Sequence, residues 1–193
     1  KLYIGGQKLG IKKVLFVSNI LFHIQAFHIR YLKLFHEKGY EVHGLTNAFG
    51  EEKPIYCDKL FDVPICRTPY DFRNVKAYKL SKQIIKNEKY DVIHCHTPMG
   101  GILARLAAIG ERKKGTKIIY TAHGFHFYKG APLRNWLIYW PIELFCARLT
   151  DTLITINQED FKRARFFGAK EIIYIPGVGI DTERFDSLEI DKS

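Results

Sequence analysis

The sequence predicts a doubly wound α/β fold, a Rossmann-like parallel sheet of about seven strands with helices on both faces. Three observations predict it. From Lys13 onward, short apolar runs alternate with longer segments of helical periodicity. The runs are continuous rather than alternating, as in strands buried on both faces. Helical segments separate most of them, as βαβ crossovers in a parallel sheet require.

VLFVS (14–18) is the first strand, and HIQAFHIRYLKLFHEKG (23–39) a helix that Gly39 is suited to end. EVHGLT (41–46) is the second strand and LFDVPI (60–65) a short third, with Pro64 marking its end. A helix over 74–90 leads to DVIHCH (91–96), and a helix over 99–110, ending at Gly110, leads to KIIYTA (117–122). A helix over 135–149, TLITIN (152–157), a helix over 158–168 and EIIYIP (171–176) complete the pattern.

The 193 residues suffice for one full core, and the 47% apolar share is that of an ordinary globular domain. Thirty Lys and Arg against 20 Asp and Glu leave a net charge of +10, which favours an anionic partner: nucleic acid, an anionic membrane face or a phosphorylated substrate. No nucleic-acid partner is expected, because the basic residues are not interleaved with stacking aromatics in a recognisable module. Cys57, Cys66, Cys95 and Cys146 stand far apart, which suits reduced, buried thiols and a cytoplasmic setting. No run reaches the roughly 20 apolar residues that span a bilayer. Residues 1–12 read as a lead-in or an expression-derived segment, and 13–180 as the domain.

In an open parallel sheet, ligands bind beyond the carboxyl ends of the strands, where strand order reverses. Ser18, Asn19, His23 and Gln25 fall there after the first strand, and His94, His96, Thr97, Gly100 and Gly101 after the fourth. TAHGFHFYKG brings His123, Gly124, His126 and Lys129 after the fifth, Asn157 and Gln158 follow the sixth, and Gly177, Gly179 and Asp181 the last. Thr97 is placed to cap the next helix and Pro98 to occupy its first turn, leaving a glycine-lined helix N-terminus for a phosphate or sugar hydroxyl. His94 and His96 share a strand face and Cys95 points away. H-x-H without a carboxylate at ligand-like spacing is a weak metal signal, so neither metal nor cofactor is expected. Phosphate-loop, dinucleotide and serine-elbow motifs are absent.

Lys76, Lys79, Lys82, Lys86 and Lys89, extended by Arg73, line one side of the 74–90 helix, with Val75, Tyr78, Ile84 and Ile85 as its buried side. Such a row suits an anionic leaflet. The helix carrying Trp136, Tyr139 and Trp140 could partly face lipid, although core packing suits most of its side chains.

VLFVSN, YDVIHCHTPMGGILARLAA, TAHGFHFYKG, RLTDTLITIN and IPGVGIDTERF together resemble the N-terminal, acceptor-binding domain of the family 4 glycosyltransferases, one half of a GT-B fold. The resemblance is to members that build bacterial capsule or exopolysaccharide from lipid-linked sugars. It implies a retaining transfer from a nucleotide-sugar co-substrate to a saccharide or lipid-linked acceptor, on the inner face of the plasma membrane. It also implies that His123 is the active-site histidine near the transferred sugar, with Gly124 its neighbour. Phe125, Phe127, Tyr128 and Lys129 would form a wall for the sugar and its diphosphate. His96, Thr97 and Gly100 would shape the acceptor cleft, and Gly177 to Asp181 would begin the hinge. ILFHIQ replaces the family's glycines in the first loop. The E-x7-E motif of the donor domain is absent, so 181–193 would start an interdomain linker and this chain alone would not transfer sugar. Two other readings stay open, a non-catalytic binding module and half of a GT-B nucleotide-sugar epimerase.

Overall fold

A computed structural model of the chain describes residues 3–4, 7–8 and 12–179. The linker start at 181–193, Asp181 included, lies outside the described residues, as does most of the 1–12 segment. A short antiparallel pair, β1 (Tyr3–Ile4) and β2 (Gln7–Lys8), forms its own sheet. The domain then runs β3 (Lys13–Val17), α1 (Leu21–Phe27), α2 (Ile29–Glu37), β4 (Glu41–Thr46), β5 (Lys59–Asp62) and α3 (Arg73–Glu88). It continues with β6 (Val92–His96), α4 (Pro98–Ala107), α5 (Ile109–Arg112), β7 (Lys117–Ala122), α6 (Leu133–Ala147), β8 (Thr152–Thr155), α7 (Gln158–Ala164) and β9 (Glu171–Tyr174).

The main sheet has seven strands in the order β5-β4-β3-β6-β7-β8-β9, all parallel. The doubly wound reading therefore holds, and strand order reverses between β3 and β6. The alternation of strand side chains builds two cores. Val14 and Phe16 meet Ile24 and Leu32 of α1 and α2 on one face. Leu15 and Val17 join the larger cluster, with Ala77 and Ile85 of α3, Leu103 of α4 and Cys146 of α6, on the other. All four cysteines are free and buried.

Two helices differ from expectation. The 23–39 segment breaks at His28 (φ −122°, ψ 0°), so its periodicity spans two helices. Ala108 separates α4 from α5, and Gly110 lies within α5; the turn that follows uses Gly115, at φ +113°. The four lysines on α3, and Lys89 at its C-cap, are exposed as expected. Val75 is exposed too, and Asn74, Ala77, Ser81 and Ile85 form the buried face instead. Among the described residues no helix is long and apolar enough to cross a membrane.

The apolar α6 conceals an ion pair. Arg105 of α4 donates to both carboxylate oxygens of Glu143 at 2.9 and 3.1 Å, while its Nε donates to the Gly101 carbonyl. The guanidinium lies 4.0 Å from the Tyr120 ring centre. Gly101 leaves room for that ring, which a Cβ would approach to 2.5 Å.

Candidate active site

The carboxyl ends of β3 to β7 open onto a cleft of about 860 Å³. Asn19, Ile20 and His23 contribute from the β3 side, Asn47 and Phe49 from beyond β4, and Ile65 to Thr68, Asp71 and Arg73 from beyond β5. Thr97, Pro98 and Met99 follow β6, His123, Gly124 and His126 follow β7, and Tyr139 comes from α6.

At the reversal of strand order the two central loops are tied together. The Asn19 amide donates to Thr97 Oγ1 at 3.1 Å. Thr97 sits at φ +60°, an uncommon conformation for a β-branched residue. Its hydroxyl makes this tie instead of capping α4. Gly100 is required here because a Cβ would lie 2.9 Å from Ser18 Cα.

Behind the cleft five imidazoles pack together. His94 and His96 project from β6 toward the α1–α2 face, His123 follows β7, His23 lies on α1, and His28 is the residue at the helix break. The His28 and His96 rings stack at 3.6 Å, the His94 and His96 rings lie tilted at 4.1 Å, and His23 meets His123 edge-on at 4.5 Å. His94 Nε2 bonds Thr121 Oγ1 at 2.9 Å. Both nitrogens of His28 and of His96, with Nδ1 of His23 and Nε2 of His123, are buried without a partner. An unpaired buried polar atom costs on the order of 1–3 kcal/mol, so this density of them is unusual in a core. Burial, with neighbouring rings adding to it, pushes His23 down to about 4, His94 to about 3 and His28 to about 2. Burial also lowers His123 and drives His96 well below its ordinary range. These rings are neutral at pH 7, and His123 keeps Nδ1 as the nitrogen with access to the cleft.

The opposite wall is cationic. Arg73 forks onto Asp71, with Nη2 to Oδ2 at 2.7 Å and Nε to Oδ1 at 3.0 Å, and that bond holds the Asp71 carboxyl well below the usual carboxylate range. Arg67 is exposed with no ion-pair partner among the described residues. Burial, then the Arg67 charge, lowers His126, whose ring lies 4.5 Å from Tyr139.

Of the expected site residues, Asn19, His23, Thr97, His123, Gly124 and His126 line this cleft. Ser18 is fully buried, its hydroxyl bonded to the Ile20 carbonyl and near Thr46 Oγ1, so it anchors the loop from behind. His96 is fully buried, and Gly100 serves close packing. Asn157 caps α7, accepting from the Asp160 amide and donating to Asp160 Oδ2; that carboxylate also accepts from the Phe125 amide. Phe125 and Phe127 are core residues against Phe167, Trp136 and Trp140 rather than a sugar-facing wall. Lys129 is exposed, its amide donating to Glu159, and like Gly177 and Gly179 it is not among the cleft-lining residues. Sequence reasoning missed His28, Arg67 and Asp71, and it read Arg73 as part of the lysine row and Tyr139 as lipid-facing or core. For the loop after β5, its place at a strand's carboxyl end was the available signal.

Residues 28–184 match the model of Glycosyltransferase Family 4. The chain belongs to this family. EpsD of Bacillus subtilis (strain 168), a protein named as a glycosyltransferase, is 48% identical to the family 4 chain over 178 residues, covering 90% of the chain and 46% of the relative. The UDP-Gal:alpha-D-GlcNAc-diphosphoundecaprenol alpha-1,3-galactosyltransferase of Escherichia coli is 33% identical over 132 residues, covering 66% of the chain and 33% of the relative. The family 4 chain thus spans less than half the length of these relatives. In fold it is similar to a sucrose-phosphate synthase structure from Thermosynechococcus elongatus, with TM-score 0.57, 14% identity, and coverage of 90% of this chain and 93% of that one. A UDP-N-acetylglucosamine 2-epimerase from Rickettsia bellii is similar in fold at TM-score 0.56 and 13% identity, over 84% of this chain and 44% of that one.

Proposed function

We propose that this chain is the acceptor-binding half of a retaining glycosyltransferase that moves a sugar from a nucleotide sugar to a lipid-linked saccharide in bacterial surface-polysaccharide synthesis. The observation that carries the reading is His123 in the wall of the cleft at the sheet's carboxyl edge, half-buried and with one ring nitrogen open to it. The family supports transfer as the reaction class.

In this reading the acceptor hydroxyl lies against His123. The bond from the sugar's anomeric carbon to the diphosphate oxygen breaks, the acceptor oxygen bonds to that carbon, and its proton leaves with the diphosphate. A neutral imidazole here orients the hydroxyl and meets developing charge without acting as the base. Arg67 faces the acceptor's phosphates. An apolar groove of about 500 Å³, lined by Tyr70, Phe72, Val75, Tyr78, Leu103 and Leu106 and sharing Asp71 and Met99 with the cleft, takes the first part of the lipid. The exposed lysines of α3 then lie against an anionic leaflet on the cytoplasmic side.

The test is sugar transfer by the full-length protein from a nucleotide sugar to a diphosphate-linked lipid acceptor. His123→Ala should lower kcat by about 100-fold or more with little change in melting temperature. Unchanged turnover would overturn the assignment.

A further inference from the structure

We propose that His23, His28 and His123 form a site for a first-row transition-metal ion, with Zn²⁺ the best match, and that its fourth position opens toward the cleft. One ring nitrogen from each residue lies within 4.8 Å of the other two. Tetrahedral zinc, with Zn–N of about 2.0–2.1 Å, holds its ligands roughly 3.3 Å apart, so small side-chain rotations close the set.

Geometry alone would be weak, but the same three rings also carry unmet nitrogens. His28 is buried with neither ring nitrogen bonded, and the buried nitrogens of His23 and His123 are equally unpartnered. His96, stacked on His28 and also unpartnered, adds imidazole nitrogens to the same pocket. The donors are neutral imidazoles, the ligand type that suits zinc, copper and nickel over magnesium or calcium.

A second cluster of comparable ligand types among the described residues is already paired. His43 bonds Tyr90 and Glu41, and Glu88 is held by Lys13 and Lys59. Its groups satisfy one another.

An ion on Nε2 of His123 would place the ring proton on Nδ1, turning the cleft-facing nitrogen into a fixed hydrogen-bond donor. It would also set positive charge beside the cleft. The inference departs from the metal-free expectation drawn from H-x-H spacing, because His23 on α1 and His28 at the helix break lie outside any strand motif. It does not rest on the transfer reading, since binding is measured without any sugar.

The experiment is titration of the chelator-treated chain with Zn²⁺ alone at neutral pH, against a chromophoric zinc indicator. One ion per chain with Kd near or below ~1 μM is expected. His28→Ala and His123→Ala should each weaken it by at least about 30-fold, and His36→Ala, at an exposed helix position, should not. Co²⁺ in place of Zn²⁺ should give the visible absorption of a four-coordinate site. Circular dichroism checks folding, and His123→Ala, at a half-buried position, decides the matter if His28→Ala does not fold. Kd weaker than about 100 μM, or tight binding that survives both substitutions, would overturn the site.

Discussion

Thr97 accepts the backbone N–H of Asn19 through its side-chain oxygen, and so joins the two loops that flank the reversal of strand order. Asn19 and Thr97 both line the cleft, so this bond ties two of its walls together where strand order reverses. Thr97→Val keeps the shape and removes the acceptor. It should cost about 1 kcal/mol of stability, measured by urea denaturation. In the full-length enzyme it should lower kcat/KM about tenfold, more than the stability loss explains; equal activity would mean the tie is structural only.

Arg105 and Glu143 have side chains 0% and 6% exposed, so each depends on the other for its charge. Glu143→Ala should destabilise the fold by roughly 3–5 kcal/mol, since it strands a buried guanidinium. The pair Arg105→Met with Glu143→Leu should recover most of that loss. Thermal melts of the three proteins decide it, and a double variant no better than Glu143→Ala would contradict the account.

Two glycines should respond in opposite directions to alanine. At Gly100 the new Cβ would meet backbone of Ser18 at 2.9 Å, so Gly100→Ala should cost about 1–3 kcal/mol and disturb the cleft. At Gly110, inside α5 with nothing within 4 Å, alanine should add about 0.5–1 kcal/mol. Chemical denaturation of both variants provides the comparison.

Acid should loosen the metal-free chain well before its carboxylates titrate. His23, His94 and His28 fall to about 4, 3 and 2 in the folded state because burial disfavours the charged ring. The unfolded chain has ordinary imidazoles near 6.5, so below that pH it binds more protons than the folded one. The stability is therefore complete above about pH 6.5 and is lost as pH falls, by roughly 1.4 kcal/mol per pH unit for each histidine. Urea midpoints of chelator-treated protein at pH 7.5, 6 and 5 should drop steadily. A flat series would mean the rings are solvated.

The sheet was legible because buried parallel strands write themselves as continuous apolar runs, and β3, β6 and β7 end where VLFVS, DVIHCH and KIIYTA end, or within one residue. Helix breaks were not. His28 interrupts backbone bonding without interrupting the apolar spacing, so the periodicity reads straight through it. His123 and Asn19 could be placed because a strand's carboxyl end follows from the strand itself. Loop residues carry no such rule. Phe125 and Phe127 turned inward through contacts with Phe167, about 40 residues on, whereas the Asn157 cap on Asp160 is local and its place just before the helix was a signal available in the sequence. Arg67 escaped notice, and Arg73 was read only as part of the lysine row, because the path of the chain after β5 is what brings them to the cleft.

The strand order also bears on how the chain is assembled. β3, β4 and β5 are complete within residues 13–62 and form one half of the sheet in the order in which they are synthesised. β6 then docks on the free side of β3, and β7, β8 and β9 each add to the edge left by the strand before. No later strand has to insert between two that are already paired. A chain emerging from the ribosome can grow this sheet outward from β3 in both directions, exposing only one unfinished edge on each side at any time.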